Sequence, residues 1–343
     1  MPTFNDITSF LSGQLLGQLL VPDIDLSGQT FVVTGANTGL GFECTKHLVR
    51  LKASKIILAC RNVAKGEDAA LRIKQAILTS ETELVVWHID LANYGSVMAF
   101  AKRIQSQEIP HIDGFVANAG VEVDDFQLSE GIELTLKVNV VATFMLAMAV
   151  LPKLQDTAVK RSIDTRLTIV GSLIHNFGPD AQLKAPGDPQ QDIFDALSDA
   201  DTADMAQRYP LSKLMGHLCS RQLAQHVTSA SRANNSVVVN WVNPGWCRTE
   251  LSRSKSKSIP KIILMPVMGW SAEKGSRSLV HGVTATKETH GHYLSEGHIK
   301  EESSYVRSDE GRHAGERIWR DLQKRVRTAM GDNAGGIDVI GLA

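Results

Sequence analysis

A short apolar run at residues 31–34 ends in Thr34-Gly35-Ala36-Asn37-Thr38-Gly39-Leu40-Gly41, and residues 42–51 then carry apolar side chains at helical spacing. A strand, a glycine turn and a helix in that order leave few architectures open. Glycines permit tight turns and let a bulky anion approach the main chain. The helix that follows offers unpaired N–H groups and the positive end of its dipole. The pattern therefore predicts a strand–turn–helix unit able to seat a diphosphate, with Gly35, Asn37, Thr38, Gly39, Leu40 and Gly41 as its contacts.

The rest of the chain keeps the same rhythm. Strand-like runs at 55–60, 84–89, 114–117, 167–170 and 237–242 alternate with helical stretches at 63–78, 96–104, 132–151 and 211–226. Strands separated by helices imply βαβ units, so the predicted class is α/β: a single doubly wound parallel sheet with helices on both faces. At about 150 residues per domain the 343-residue length corresponds to roughly two domains. The motifs described below run through one sheet, which excludes a boundary inside it. The predicted organisation is an amphipathic arm over 1–27, one domain over 28–300 with inserts at 176–206 and 250–270, and a C-terminal helix and tail over 301–343.

Composition sets limits on partners. Apolar residues at 43% and charged residues at 21% support a sizeable core. Lys plus Arg (36) against Asp plus Glu (37) leaves no basic surplus, which argues against a nucleic-acid partner. Cys44, Cys60, Cys219 and Cys247 form no CxxC pair and no metal-ligand spacing with the histidines, so no metal is expected. Dispersed cysteines also fit a reducing, cytoplasmic setting. His290 and His292 read as a solvated turn. In the arm, Ile7, Phe10, Leu11, Leu15, Leu16, Leu19 and Leu20 recur at helical spacing, yet the first basic residue is Lys46. A secretory signal and a membrane-surface helix both call for basic residues there. Packing on its own protein or a sister subunit is the favoured reading, and membrane-surface contact the lesser one. The 250–270 insert starts with Arg253, Lys255 and Lys257 and turns apolar from 259. With the 176–206 insert it is expected to shape a ligand pocket at the carboxyl ends of the strands.

Further motifs follow the glycine turn in order. Asp90-Leu91 comes after the third strand and Asn118-Ala119-Gly120 after the fourth. Asn139 lies in the next helix and Ser172 after the fifth strand. Tyr209 and Lys213 are four apart, and Pro244-Gly245 follows the sixth strand with Thr249 beyond. Over about residues 28–295 this set resembles the short-chain dehydrogenase/reductase family. Ala59-Cys60-Arg61-Asn62, His175, Ser212-Lys213-Leu214, the long spacing from Ser172 to Tyr209, the run Ala272-Glu273-Lys274-Gly275-Ser276-Arg277 and a helix about Trp319 are similar to its retinol-dehydrogenase-like branch. Fungal members of that branch often serve secondary metabolism.

The resemblance implies a Rossmann-type fold and an oxidoreductase that interconverts a carbonyl and its alcohol. It places a nicotinamide dinucleotide against the glycine turn, Arg61, Asp90, Leu91, Asn118, Ala119, Gly120, Tyr209, Lys213, Pro244, Gly245 and Thr249. Tyr209 and Lys213 share one helix face. A free phenol, with a pKa of about 10, exchanges protons poorly at neutral pH, and a neighbouring ammonium is expected to lower it. Tyr209 is thus the expected proton donor and acceptor, with Ser172 donating to the substrate oxygen. By resemblance, Lys213 also bonds the nicotinamide ribose, and Asn139 holds a water linking Lys213 to solvent. Where NAD sites place an acid, residues 58–62 carry none; Arg61 can pair with a 2′-phosphate, which points to NADP(H).

The expected substrate is a small lipophilic ketone, aldehyde or alcohol, on the strength of Trp246, the apolar 259–270 stretch and the branch. A non-redox cyclase or isomerase on the same fold, or a cofactor-binding regulator, is the alternative. Relatives often pair through helices matching 132–151 and 211–226, so a homodimer is open, with the terminal extensions either blocking or extending the contact. Two departures stand out. Gly171 replaces a serine that often precedes the catalytic one, and is expected to loosen the loop. Pro210 disfavours α geometry at Tyr209, so the helix is expected to begin about there.

Overall fold

The computed structural model describes residues 13–15, 17–184, 191–230, 236–248, 251 and 269–330. Thr249, most of the 250–270 insert, the first twelve residues and Leu16 of the arm, and the 331–343 tail lie outside these.

β1 (Thr30–Thr34), β2 (Lys55–Cys60), β3 (Glu83–His88), β4 (Gly114–Ala117), β5 (Thr165–Val170), β6 (Val237–Asn243), β7 (Tyr293–Ser295) and β8 (His298–Ile299) form one sheet in the order β8-β7-β6-β5-β4-β1-β2-β3. Every neighbouring pair is parallel except β7 and β8, which form a hairpin turned by Glu296 and Gly297 at φ 49° and 76°. Alternate residues supply opposite faces. Val32, Ile57, Ala59, Phe115, Leu167 and Ile169 pack to one side, and Phe31, Val33, Ile56, Leu58, Val116 and Val170 to the other. Because both faces are covered, the strands read as unbroken apolar runs and not as polar–apolar alternation.

On one face lie α1 (Gly39–Arg50), α2 (Val63–Ala76) and a helix over Ala272–Val283. The other carries α3 (Tyr94–Gln105), α4 (Thr143–Arg161), α5 (Met205–Ala230) and, past α6 (the Ala272–Val283 helix), α7 (Asp309–Met330). A short turn at Leu134–Leu136 and a π-helical turn at Lys137–Ala142 lead into α4. The stretch Leu134–Arg161 is long and apolar enough to cross a membrane by length and composition, but 94% of its most apolar window is buried inside the molecule, as befits a core helix.

That burial is completed by α7. Trp319 meets the Phe144 ring edge-on, with centroids 6.5 Å apart, and lies 5.3 Å from the His226 ring. Ile318, Leu322 and Val326 join the same cluster. Arg325 forks onto Asp192 at 2.8 and 3.0 Å and so ties α7 to the short helix Ile193–Ala196 within the 176–206 insert. The C-terminal helix therefore packs along α5 and touches the start of α4 at Phe144, both among the helices considered for dimer pairing.

Two expectations change, and one hairpin was not foreseen. α5 begins at Met205, four residues before Tyr209, and Pro210 sits inside it, forgoing only the bond to the Ala206 carbonyl. The hairpin strands β7 and β8 were too short to carry a periodic signal. His290 is no free turn residue: its Nδ1 accepts from Val239 N–H at 3.1 Å and its Nε2 faces Ala224 O at 3.1 Å, which fixes the tautomer.

Candidate active site

The carboxyl ends of β1, β2, β4, β5 and β6 open on a single cleft of about 1300 Å³. Its first half is built on the glycine turn. Gly35 and Gly39 stand at φ 66° and 58°, in the left-handed region. A Cβ on Gly35 would lie 3.1 Å from Ala119 Cα, and one on Gly41 would overlap the Gly35 carbonyl. Thr34 Oγ1 accepts the N–H groups of Asn118 and Ala119, both at 2.9 Å. Asn118 Nδ2 donates back to Thr34 O at 2.8 Å, which locks the loops after β1 and β4 together. Thr38 makes no side-chain cap bond to α1, and no acid stands in the first turn, so the helix presents its N–H groups and positive end to the cleft.

At the end of β2, Arg61 lines the cleft, and so does Lys65 one turn into α2. Lys65 escaped the sequence reading, although its i,i+4 spacing from Arg61 would have flagged it. Asp90 Oδ1 accepts Ala92 N–H at 2.9 Å and Asp90 N–H donates to Ser96 Oγ at 2.8 Å, so the 90–92 turn is held in shape beside Leu91.

The second half holds Ser172, Tyr209 and Lys213. Ser172 caps the 3-10 turn Leu173–Phe177, its Oγ accepting Ile174 N–H at 3.2 Å and its carbonyl meeting His175 Nδ1 at 2.7 Å. Gly171 does not loosen this loop. Its N–H donates to Val242 O at 2.8 Å, and any Cβ there would run into the Trp241 indole. The glycine is what lets β5 end against that ring.

Tyr209 is placed by its predecessor. Arg208 is fully buried beside Glu133, Nε to Oε2 3.6 Å, and the Glu133 oxygens accept the N–H groups of Thr135 and Leu136 at 2.9 and 3.1 Å. The Tyr209 and Ser172 side chains stand together in the cleft wall. Lys213 Nζ donates to Val170 O at 3.0 Å and lies 5.7 Å from the centre of the Tyr209 ring. Burial pushes the Lys213 ammonium down to about 8. Burial also pushes the Tyr209 phenol well above its ordinary value; the Glu122 carboxylate acts in the same direction and the neighbouring Ser172 hydroxyl opposes them. The shift thus runs opposite to the lowering expected from Lys213, because burial of the phenol dominates.

Asn139 lies behind this group and does not line the cleft. From the π turn its Oδ1 accepts Val121 N–H at 2.8 Å, and its Nδ2 donates to Val121 O at 2.8 Å and Ser212 Oγ at 3.0 Å. A Cβ on Gly120 would sit 3.1 Å from Asn139 Oδ1 and 3.9 Å from Lys213 Nζ. The amide joins the loop after β4 to α5. Gly41 is likewise behind the surface, while Ala119, Gly120, Pro244 and Gly245 line it.

Asn243 is a cleft residue that the sequence reading passed over. Its Oδ1 accepts Leu173 N–H at 3.0 Å and Gly245 N–H at 3.1 Å, and its Nδ2 donates to Ser295 Oγ at 3.0 Å. It thereby couples the Ser172 turn to the Pro244-Gly245 turn. An Asn directly before Pro-Gly is an Asx-turn signal and was legible as such. Around Ser172 the wall is mostly apolar, with Val121, Val123, Leu134, Val138, Ile174, Phe177, Trp246 and Leu251, and it carries one carboxylate, Glu122.

A doubly wound parallel sheet with this glycine turn defines a Rossmann-like α/β protein. A family model described as short chain dehydrogenase matches residues 29–172. The short chain dehydrogenase/reductase dmxR8 of Cryptosporiopsis sp. (strain 8999) is 38% identical over 319 residues, covering 92% of this chain and 96% of that one. The short-chain dehydrogenase anuD of Penicillium roqueforti is 36% identical over 322 residues, 92% of this chain and 82% of that one. Among solved structures, salutaridine reductase from Papaver somniferum has a TM-score of 0.58 at 20% identity, over 78% of this chain and 99% of its own. The RhlG/NADP active-site complex of Pseudomonas aeruginosa has the same score and identity, over 80% and 97%. The chain belongs to the short chain dehydrogenase family of oxidoreductases.

Proposed function

We propose that this protein is an NADP(H)-dependent oxidoreductase that interconverts a lipophilic ketone or aldehyde and its alcohol. The observation that carries the reading is the convergence of Ser172, Tyr209 and Lys213 at one end of a cleft whose other end is a glycine turn under a helix N-terminus. The cradle fits a nicotinamide dinucleotide. A Cβ at Gly35 would intrude on the turn, α1 offers uncapped N–H groups without a competing acid, and Arg61 and Lys65 flank the end of β2 where a 2′-phosphate would need cations. When bound, that cofactor supplies or accepts the hydride.

The chain's own groups handle the proton. Ser172 and Tyr209, side by side in the cleft wall, each present an O–H group to the substrate oxygen. In the reductive direction Tyr209 gives its proton to that oxygen, and its raised pKa keeps it protonated and ready to do so. Lys213, held against Val170 O, supplies positive charge to the phenolate left behind. Asn139 and Asn243 hold the two loops that set these distances. The mostly apolar wall favours a lipophilic carbonyl, and the Glu122 carboxylate in it disfavours an anionic one; the polyketide or terpenoid carbonyls of secondary metabolism fit that description.

The cofactor assignment is tested by comparing kcat/KM with NADPH and NADH. The expected preference for NADPH is about tenfold or more, and Arg61→Ala should remove most of it by weakening NADPH alone. A clear preference for NADH in the wild type would overturn the assignment.

A further inference from the structure

The N-terminal segment closes over the loop that follows β6. Gln14 is buried and pairs with both peptide groups of Trp246: its Nε2 donates to Trp246 O at 3.1 Å, and its Oε1 accepts Trp246 N–H at 2.9 Å. Its own carbonyl accepts the Trp270 indole Nε1–H at 2.7 Å. Trp270 N–H donates to Trp246 O at 2.8 Å and Arg248 N–H to Trp270 O at 2.9 Å, which closes a ring of bonds between three distant pieces of chain. Leu19 packs on Cys247 and Trp270, and its carbonyl accepts from Arg277 Nη1 at 2.9 Å.

This clamp stands directly against the cleft, because Gly245, Trp246 and Cys247 are part of its wall. It also fixes the points at Arg248 and Trp270 between which the 249–269 segment runs. A buried amide serving both peptide groups of one residue is specific in geometry, and its loss takes the partner from Trp246 N–H while Trp246 O keeps only the bond from Trp270 N–H. Without it the 244–247 loop must become ordered each time a ligand binds, and that cost falls on affinity.

We propose that Gln14 is a positioning residue of the site: it holds the 244–247 loop in the shape that receives the dinucleotide beside Ser172 and Tyr209. The inference rests on the reading that this cleft binds a nicotinamide dinucleotide. Its test uses full-length wild type, Gln14→Ala, and Trp270→Phe, which keeps an aromatic ring in the cluster but removes the N–H bonded to Gln14 O. Calorimetric titration with NADPH, steady-state kinetics on a carbonyl substrate and the thermal midpoint are measured for each. NADPH Kd and KM should rise about tenfold in Gln14→Ala and about threefold in Trp270→Phe, while kcat changes less than about twofold. A lowered midpoint with NADPH affinity unchanged in both variants would make the contact merely structural and overturn the proposal. Should Gln14→Ala fail to fold, Trp270→Phe decides by the same measures. A wild type that binds neither NADPH nor NADH would overturn the underlying reading and the proposal with it.

Discussion

Lys213 shows how burial sets chemistry at a single residue. Its ammonium is enclosed, bonded to one main-chain oxygen and pushed down to about 8. A lysine with a lowered pKa carries its proton below that value and loses it above, well before an ordinary lysine would. Since its positive charge steadies the Tyr209 phenolate as the proton leaves, kcat/KM for reduction should hold up to pH about 8 and fall beyond it. Tyr209, whose own pKa is raised by burial, adds no earlier limb. Replacing Lys213 by Arg, which stays charged throughout, should remove the falling limb from whatever activity survives. A wild-type profile that stays level well above pH 8 would show that Lys213 does not titrate in this way.

At the scale of elements, the decisive contacts lie between segments. Gly171 ends β5 against the Trp241 ring of β6, so Gly171→Ala should cost about 1–3 kcal/mol and lower the thermal midpoint, because the indole has to shift. An unchanged midpoint would show that the ring yields freely. The same pairing explains what was legible in the sequence. The strands β2 and β4 and the glycine turn could be read in place because their signals are local: continuous apolar runs and glycines at a strand–helix junction. The start of α5 could not. The residues around Pro210 argue for a late start, but the buried Arg208–Glu133 pair holds the first turn from another element. Asn139 was found by resemblance, but its partners Val121 and Ser212 lie 18 and 73 positions away, so the bracing of the loop by its amide was out of reach. Gly171 looked like a weakness for the same reason, since the ring that requires it is in the next strand.

For the molecule as a whole, α7 decides what the sheet and its helices can meet. Trp319, Ile318, Leu322 and Val326 occupy the side of α5, and Trp319 reaches Phe144 at the start of α4, where relatives were expected to pair. Sedimentation should therefore find a monomer. A dimer would show that pairing uses another face. Trp319→Ala should destabilise the fold by about 3–5 kcal/mol, a core-sized loss that an accessory tail would not produce. The cleft ties the scales together: one sheet brings the turn at Gly35–Gly41, the Ser172 loop, α5 and the Gln14 clamp to a common edge. What that edge does is tested most directly by following NADPH absorbance against a panel of hydrophobic ketones and aldehydes, with wild type and Tyr209→Phe side by side. Wild type should oxidise NADPH with at least one of them, and Tyr209→Phe should lose activity by about a hundredfold or more while still binding NADPH. Undiminished turnover in Tyr209→Phe would contradict the account.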